Sequence, residues 1–422
     1  MKNHNVAQVF EHEFLAFDDG IRNKDFYVNK LIKYGEKTNY KYFKVYNRKI
    51  KFSNFVGIIQ IKSLTIEVLP KVDRETNSGE SKNKCHDILI YMLKECKQIK
   101  LDAISNARLK IKSMSLLDLY YDVFLSELET IVRGNLKKNY RRVQENLNKA
   151  KGQINFPKHI AINYIHQEKC YSEHTVYDKN NLINQILFKA LNELNNFVYY
   201  SKYAIRIKNL ILAFEGISDI SITDKTFDKI VLDRNSQRYK TALNVAKLIL
   251  FNQNPDMQAG TSDIFAILFD MNKLFELYIT RQLKKAANEF YKINLQVNSQ
   301  VSKIFWKRKN IIPDIILQYT QNNEMKKIIV DTKWKMLKNN SPSDEDLRQI
   351  FTYNIHFGSN GGVLIYPNAN NQALKYQFYH KSALMSDEHS HYCSLYFVDL
   401  LDGKGKLDRS LGSKILQDLI LN

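Results

Sequence analysis

Residues 311–335 read IIPDIILQYTQNNEMKKIIVDTKWK. Ile315-Ile316-Leu317 and Ile328-Ile329-Val330 are short apolar runs of strand type. Gln321-Asn322-Asn323 between them predicts a tight turn, because Asn tolerates the backbone angles such a turn imposes. Asp314 follows Pro313 at the start of the first strand. Asp331 and Lys333 lie on the second, two residues apart, and so project from one face. If the strands pair through the Asn322 turn, Asp314 comes alongside them. Two carboxylates and an ammonium then share one site. Carboxylates suit a hard divalent cation such as Mg²⁺, which keeps waters and takes phosphate oxygens, while the lysine can position an attacking water and offset charge developing at phosphorus. That is the apparatus of phosphodiester hydrolysis. Ile328-Ile329-Val330 run straight into Asp331, so the acid ends a core element instead of decorating a surface.

Around this hairpin the last third of the chain predicts mixed order. A helix is expected over 264–287 and a second over 344–356, then strands in GGVLIYP, KYQFYH and SLYFVDL. Ser343 can cap the second helix and Asp344, Glu345 and Asp346 suit its positive end. Gln349 and Tyr353 lie four apart on one face of it, a polar stripe able to face the site and contact phosphate. Upstream, Glu276 interrupts an apolar helical series of Leu268, Met271, Leu274, Phe275, Leu277, Tyr278 and Ile279; a carboxylate there faces solvent or serves the site as a further ligand. Two basic clusters mix cations with aromatics, Lys137 to Arg142 and Trp306-Lys307-Arg308-Lys309. The second immediately precedes the Asp314 strand and is preferred as a phosphate-backbone contact, through Lys307 and Arg308.

Toward the N-terminus, residues 40–72 alternate apolar with polar positions and are rich in β-branched types. Lys62-Ser63 predicts a hairpin turn and Pro70 ends the second run. The polar stretch 73–84 reads as an exposed loop. Over 86–270 apolar positions recur every three or four residues, as in Leu182, Ile183, Ile186, Leu187, Ala190, Leu191 and Leu194, which predicts a predominantly helical region. The expected fold class is therefore α/β (α+β): a small β-rich N-terminal domain (1–112), a helical connecting region (113–260) and a C-terminal mixed sheet flanked by helices (261–422).

The chain has 422 residues, with 63 Lys and Arg against 44 Asp and Glu, a formal charge of +19, so polyanions are the first partners to consider. At 44% hydrophobic and 12% aromatic it can fill cores, and disorder throughout is excluded. No window approaches the roughly 18 apolar residues of a membrane span, and the acids and histidines in MKNHNVAQVFEHEFLAFDDG do not read as a signal peptide. A cytoplasmic protein with no membrane partner is expected. The four cysteines are scattered without a C-x-x-C pair, as expected of reduced thiols. His166, Cys170 and His174 have ligand spacing, but HQEKCYSEH has no nearby fourth ligand and reads as a polar connection. Gly403-Lys404-Gly405-Lys406 lacks the spacing and hydroxyl residue of a nucleotide-binding P-loop, so this chain is not expected to hydrolyse NTPs.

P-D followed seventeen positions on by D-x-K is how the PD-(D/E)xK nuclease superfamily is written. A wider set of marks resembles the McrC family, the nuclease subunits of McrBC-type and LlaJI-type restriction systems. These are Val56-Gly57-Ile58, Ile66-Glu67-Val68-Leu69-Pro70-Lys71, Gly152-Gln153-Ile154, Asn184, Met271 with Phe275-Glu276, Pro313-Asp314, Asp331-Thr332-Lys333-Trp334-Lys335, Gln349 with Tyr353, and Leu364-Ile365-Tyr366-Pro367. The resemblance spans nearly the whole chain. It implies a C-terminal PD-(D/E)xK nuclease domain acting on double-stranded DNA, and an N-terminal part that docks on a hexameric McrB-like AAA+ GTPase and stimulates GTP hydrolysis. On this basis Asp314, Asp331 and Glu276 would bind Mg²⁺, Lys333 would assist the water and transition state, Gln349 and Tyr353 would contact DNA, and GTP would belong to the partner. Gln153 departs from the basic residue expected after that glycine. Cleavage of both strands would favour a homodimer through the nuclease domain. The competing readings are a free-standing repair nuclease and a non-catalytic DNA-binding adaptor.

Overall fold

The computed structural model describes residues 5–17, 24–46, 49–71, 79–96, 115–165, 167–197, 203–251, 264–337, 341–367, 375–379, 391–402 and 407–420. The chain forms two compact units, Met1–Leu101 with Leu268–Asn422, and Asp102–Ile267. Most of the first and last segments of the sequence reading thus belongs to one unit.

The N-terminal part of that unit runs β1 (Asn5–Phe10), β2 (Phe14–Ala16), α1 (Lys24–Lys37), β3 (Phe43–Tyr46), β4 (Lys49–Phe52), β5 (Phe55–Ile61), β6 (Leu64–Leu69) and α2 (Gly79–Glu95). The expected hairpin is β5–β6, antiparallel with Ile61 opposite Leu64, and Lys62 turns the corner at φ 51°. Every residue of both strands is buried. β1 joins β6 in parallel, so this is a central sheet element and its sequence is correspondingly apolar. The polar stretch gives way to helix earlier than the sequence predicts. α2 already begins at Gly79 and turns Cys85, Ile88, Leu89, Met92 and Leu93 inward.

The second unit contains α3 (Leu116–Arg133), β7 (Asn139–Leu147), β8 (Gln153–Ile154), α4 (Phe156–Asn163), β9 (Cys170–Asp178), α5 (Leu182–Phe197), α6 (Ala204–Ala213), α7 (Asp224–Asp228) and α8 (Lys240–Phe251). The apolar stripe of α5 is buried as its periodicity predicts. Not predicted is the three-stranded ribbon in the order β7-β9-β8. β7 is mostly exposed, so no apolar face existed to display a period of two. Gly152 holds the ribbon's turn at φ 76°, where a Cβ would lie 2.4 Å from the Glu173 carbonyl oxygen. Cys170 and His174 sit on β9, which corrects the polar connection expected there; His166 lies outside the described residues.

The remainder runs β10 (Ile264–Asp270), α9 (Met271–Ala286), β11 (Gln296–Ser299), β12 (Lys303–Trp306), β13 (Lys309–Ile311), β14 (Ile315–Gln321), β15 (Glu324–Thr332), α10 (Asp344–Phe357), β16 (Gly361–Pro367), β17 (Lys375–Phe378), β18 (Tyr392–Val398) and α11 (Leu411–Ile420). The helix predicted from residue 264 starts only at Met271, because Ile264–Asp270 is a strand. A continuous apolar run does not distinguish the two. Asp270 caps α9 by accepting from the Asn272 N–H at 3.0 Å, and Asn54 Nδ2 donates to the same oxygen at 3.0 Å. The main sheet has the order β11-β14-β15-β16-β18-β17. β15 to β16 is a parallel step, and α10 makes the crossover. Ile350, Tyr353 and Phe357 of α10 pack on Ile316, Ile329, Leu364 and Tyr366 of the sheet. Among the described residues no helix is long and apolar enough to cross a membrane.

Candidate active site

The β14–β15 hairpin pairs Ile315 with Val330 through Gln321 with Glu324, and Asn322 and Asn323 take φ values of 53° and 62° as the turn. One register step beyond Ile315 and Val330 lie Asp314 and Asp331. Both share the sheet face of Ile316 and Ile329, the one α10 covers. Thr332 fixes the first acid: its N–H and hydroxyl donate to Asp314 Oδ2 at 2.8 and 2.9 Å. Lys333 keeps strand-like pairing past the end of β15, donating its N–H to the Ile365 carbonyl at 2.8 Å. Its Nζ lies 2.7 Å from Asp331 Oδ2. That ammonium is a close polar neighbour of Asp331 Oδ2, on a side chain 2% exposed.

Burial dominates the electrostatics. It pushes the Asp331 carboxyl up to about 7, the Asp314 charge adds to the rise, and Lys333 partly offsets it. Burial likewise raises Asp314 against the Thr332 donors and Lys333. Desolvation alone would lower Lys333, but Asp331, then Asp346 and Asp314, outweigh it and hold the ammonium charged. Two acids that resist ionising together beside a retained cation leave an electrostatic demand for more positive charge.

The α10 stripe faces inward as predicted. Lys333 Nζ donates to Gln349 Oε1 at 2.8 Å, Gln349 Nε2 donates to the Tyr353 hydroxyl at 2.8 Å, and that hydroxyl donates to the Ile312 carbonyl at 3.2 Å. Both side chains are thereby committed to placing Lys333 and the backbone ahead of Asp314. Ser343 and Asp346 form the expected capping box. Asp346 does more than cap, with one oxygen 3.7 Å from Lys333 Nζ and the other paired with Lys335. Glu276 projects half-buried from α9 and is held by Gln300 Nε2. Burial and the Asp314 charge raise its pKa, and Gln300 N also donates to the Asp314 carbonyl at 3.2 Å. Lys307 and Arg308 stand apart, in the turn of the exposed β12–β13 hairpin.

Sequence reasoning missed Thr332, Gln300 and, most distant, Glu11. Glu11 is 1% exposed, accepts from the Trp334 indole N–H at 2.6 Å and from the Lys71 N–H at 3.0 Å, and leaves Oε2 without a hydrogen bond. Burial pushes it up to about 7. Trp334 also packs edge-on against Phe275, with centroids 5.1 Å apart. The residues after Lys333 and before Glu276 are thus tied to the turn after β1. No local pattern joins positions 323 residues apart; the only sequence signal was an acid next to a strand end.

Among the described residues no group of three or more His, Cys, Asp or Glu is placed to hold a metal ion, so Glu276 does not close a three-carboxylate cage with Asp314 and Asp331. Two buried carboxylates at facing register positions, one raised by the charge of the other, do fit a hard dication that completes its shell with water and substrate oxygens.

A mixed sheet flanked by helices thus carries the paired acids and the lysine at the open end of its β14–β15 hairpin. The chain belongs to the family described as McrBC 5-methylcytosine restriction system component, which matches residues 50–367. It is similar to the type IV methyl-directed restriction enzyme EcoKMcrBC of Escherichia coli (strain K12), 23% identical over 301 residues, covering 68% of this chain and 84% of that one. Its fold is similar to a chain in the refined half-complex from a tetradecameric assembly of Thermococcus gammatolerans McrB AAA+ hexamers with bound McrC. There the TM-score is 0.70 at 19% identity, with 99% of this chain and 100% of the other covered. A second likeness is to the Thermococcus gammatolerans McrBC complex, with TM-score 0.51, 21% identity, and 67% and 88% covered.

Proposed function

We propose that this protein is the DNA endonuclease subunit of a GTP-dependent, McrBC-like restriction system, acting in the cytoplasm on double-stranded DNA under the control of a partner AAA+ GTPase hexamer. The observation that carries the reading is the convergence of Asp314, Asp331 and Lys333 at one buried strand end, with Thr332 and Gln349 setting the first acid and the amine.

Asp314 and Asp331 would hold Mg²⁺, with Glu276 at the margin. Bound there, the ion would supply Lewis-acid polarisation of a phosphoryl oxygen and a more acidic water. Lys333 stays protonated and, steered by Gln349, offers an ammonium to the charge that develops at phosphorus. Asp346, in the first turn of α10 and paired with Lys335, lies 3.7 Å from this amine and adds to the negative charge that keeps it protonated. The N-terminal part would dock on the motor, and its buried hydrogen bond from Trp334 to Glu11 would keep docked and cutting parts in register.

The test is cleavage of supercoiled plasmid with Mg²⁺ and GTP, with and without an McrB-like AAA+ GTPase. Cleavage that needs both proteins, and that Asp331→Asn abolishes while partner association persists, is the expected result. Cleavage that survives Asp331→Asn would sink the assignment. Cleavage by this chain alone would favour a free-standing nuclease, and Mg²⁺-indifferent binding without cutting would favour an adaptor.

A further inference from the structure

The β12–β13 hairpin is an arm with two unlike faces. Lys303 and Phe305 meet α10: Lys303 Nζ donates to the His356 carbonyl at 2.9 Å and stands over the Phe357 ring at 4.9 Å, and Phe305, though 49% exposed, meets His356 edge-on at 5.1 Å. The pairing with β13 is irregular between Ile304 and Trp306, which are 74% and 58% exposed. Lys307 and Lys309 stand over the Trp306 ring at 5.0 and 5.9 Å. The turn itself is Lys307-Arg308, with Lys307 at φ 50°, a conformation that asparagine or glycine adopts with less strain. A two-residue turn built from two cations in place of Asn-Gly places charge at the tip against backbone preference. Residues 303–309, KIFWKRK, contain four cations and no acid. The arm's end is fixed relative to the candidate active site, because Tyr353 holds Ile312 and Asp314 follows three residues after Ile311.

We infer that this arm inserts into duplex DNA beside the scissile phosphate: Lys307, Arg308 and Lys309 take backbone phosphates, and Trp306, backed by Ile304, wedges against a base step. The inference rests on the nuclease reading and adds to it a bound state of the DNA that the acid–lysine site does not require. A polyanion with π-faces is the partner that uses both features at once, since the lysines can leave the indole for phosphates while bases replace them on its faces.

The experiment uses the full chain without Mg²⁺ and a duplex carrying 2-aminopurine, whose fluorescence rises on unstacking. Wild type should bind and raise the signal. Trp306→Ala should abolish the rise and weaken binding by about tenfold or more, and Trp306→Phe should keep most of both. Lys307→Ala and Lys309→Ala should each flatten the slope of log affinity against log salt by roughly 0.9 while the unstacking signal persists. Wild type that fails to bind or binds without unstacking, or a Trp306→Ala protein that binds as tightly as wild type, overturns the arm. So does a Trp306→Ala protein defective only in partner association. Because cleavage loss in Asp331→Asn is read separately, the arm can fail while the nuclease assignment stands.

Discussion

Two hairpins, β12–β13 and β14–β15, follow one another in the chain and use charge in opposite ways. At the exposed tip of the first, Lys307, Arg308 and Lys309 stand in solvent, with Lys307 and Lys309 over the Trp306 indole. At the open end of the second, Asp314, Asp331 and Lys333 are drawn out of water against one another, and each titrates away from its ordinary value. The contrast teaches that function and stability are separable at the first hairpin and opposed at the second. Buried acids are retained there against the interest of folding, as the proposed active site would require.

The largest effect should follow from breaking the buried end. Asp331→Asn should reduce partner-dependent cleavage by on the order of a thousandfold, with the metal-free fold more stable, not less. The sign follows from linkage. The Asp331 carboxyl is raised from 3.8 to about 7, so between those values the folded state holds a proton that the unfolded state has lost. Stability of the metal-free protein therefore falls as pH climbs through that window and levels off above it. Thermal midpoints measured across this range should show the decline in wild type and a shallower one in Asp331→Asn. A steeper decline in the variant would break the comparison.

Lys333→Ala should act in the opposite direction on the fold. Removing the cation leaves two buried acids uncompensated and should cost about 3–5 kcal/mol above neutral pH, with cleavage lost as well. Denaturant melts with and without Mg²⁺ separate the two consequences: the ion should restore part of the stability and none of the cutting.

How much of this could be read from sequence follows the same division. The β14–β15 hairpin was legible because burial imposes apolar runs that stop at Asp331, and an acid at the end of such a run has few explanations. β5–β6 was legible from its β-branched runs that alternate apolar with polar residues, the Lys62-Ser63 turn and the stop at Pro70. The β7–β9 ribbon was not, since β7 is mostly exposed and the positions that β9 buries, Ser172 and His174, are polar, and β10 was misread as helix because its buried positions are consecutive and show no period. Within the site, Asp314, Asp331, Lys333 and Gln349 were accessible through spacing on one strand pair and one helix face. Glu11 was not, because its partners Trp334 and Lys71 are set by tertiary packing.

That packing contact predicts a smaller effect. Glu11→Ala strands the Trp334 and Lys71 N–H groups in the interior and should cost about 1–3 kcal/mol. Glu11→Gln preserves the acceptor and removes the charge that burial disfavours, so it should recover most of that loss. If Glu11 positions the catalytic strand, Glu11→Ala should lower the maximal cleavage rate more than DNA affinity. Equal losses, or a Glu11→Gln protein as impaired as Glu11→Ala, would reduce Glu11 to a structural residue.

The smallest effect on folding belongs to the exposed arm, and its smallness is the point. Arg308 touches solvent at a hairpin tip, so Arg308→Ala should move stability by no more than about 0.5 kcal/mol and leave the pH dependence of melting unchanged. Duplex affinity should nevertheless fall, more at low salt than at high, because one phosphate contact is gone. A melting temperature that drops with Arg308→Ala would mean that the arm is part of the folded core's support. The two hairpins would then not be the separable pair their burial describes, and loss of DNA binding in arm variants would no longer report on contact with the phosphate backbone.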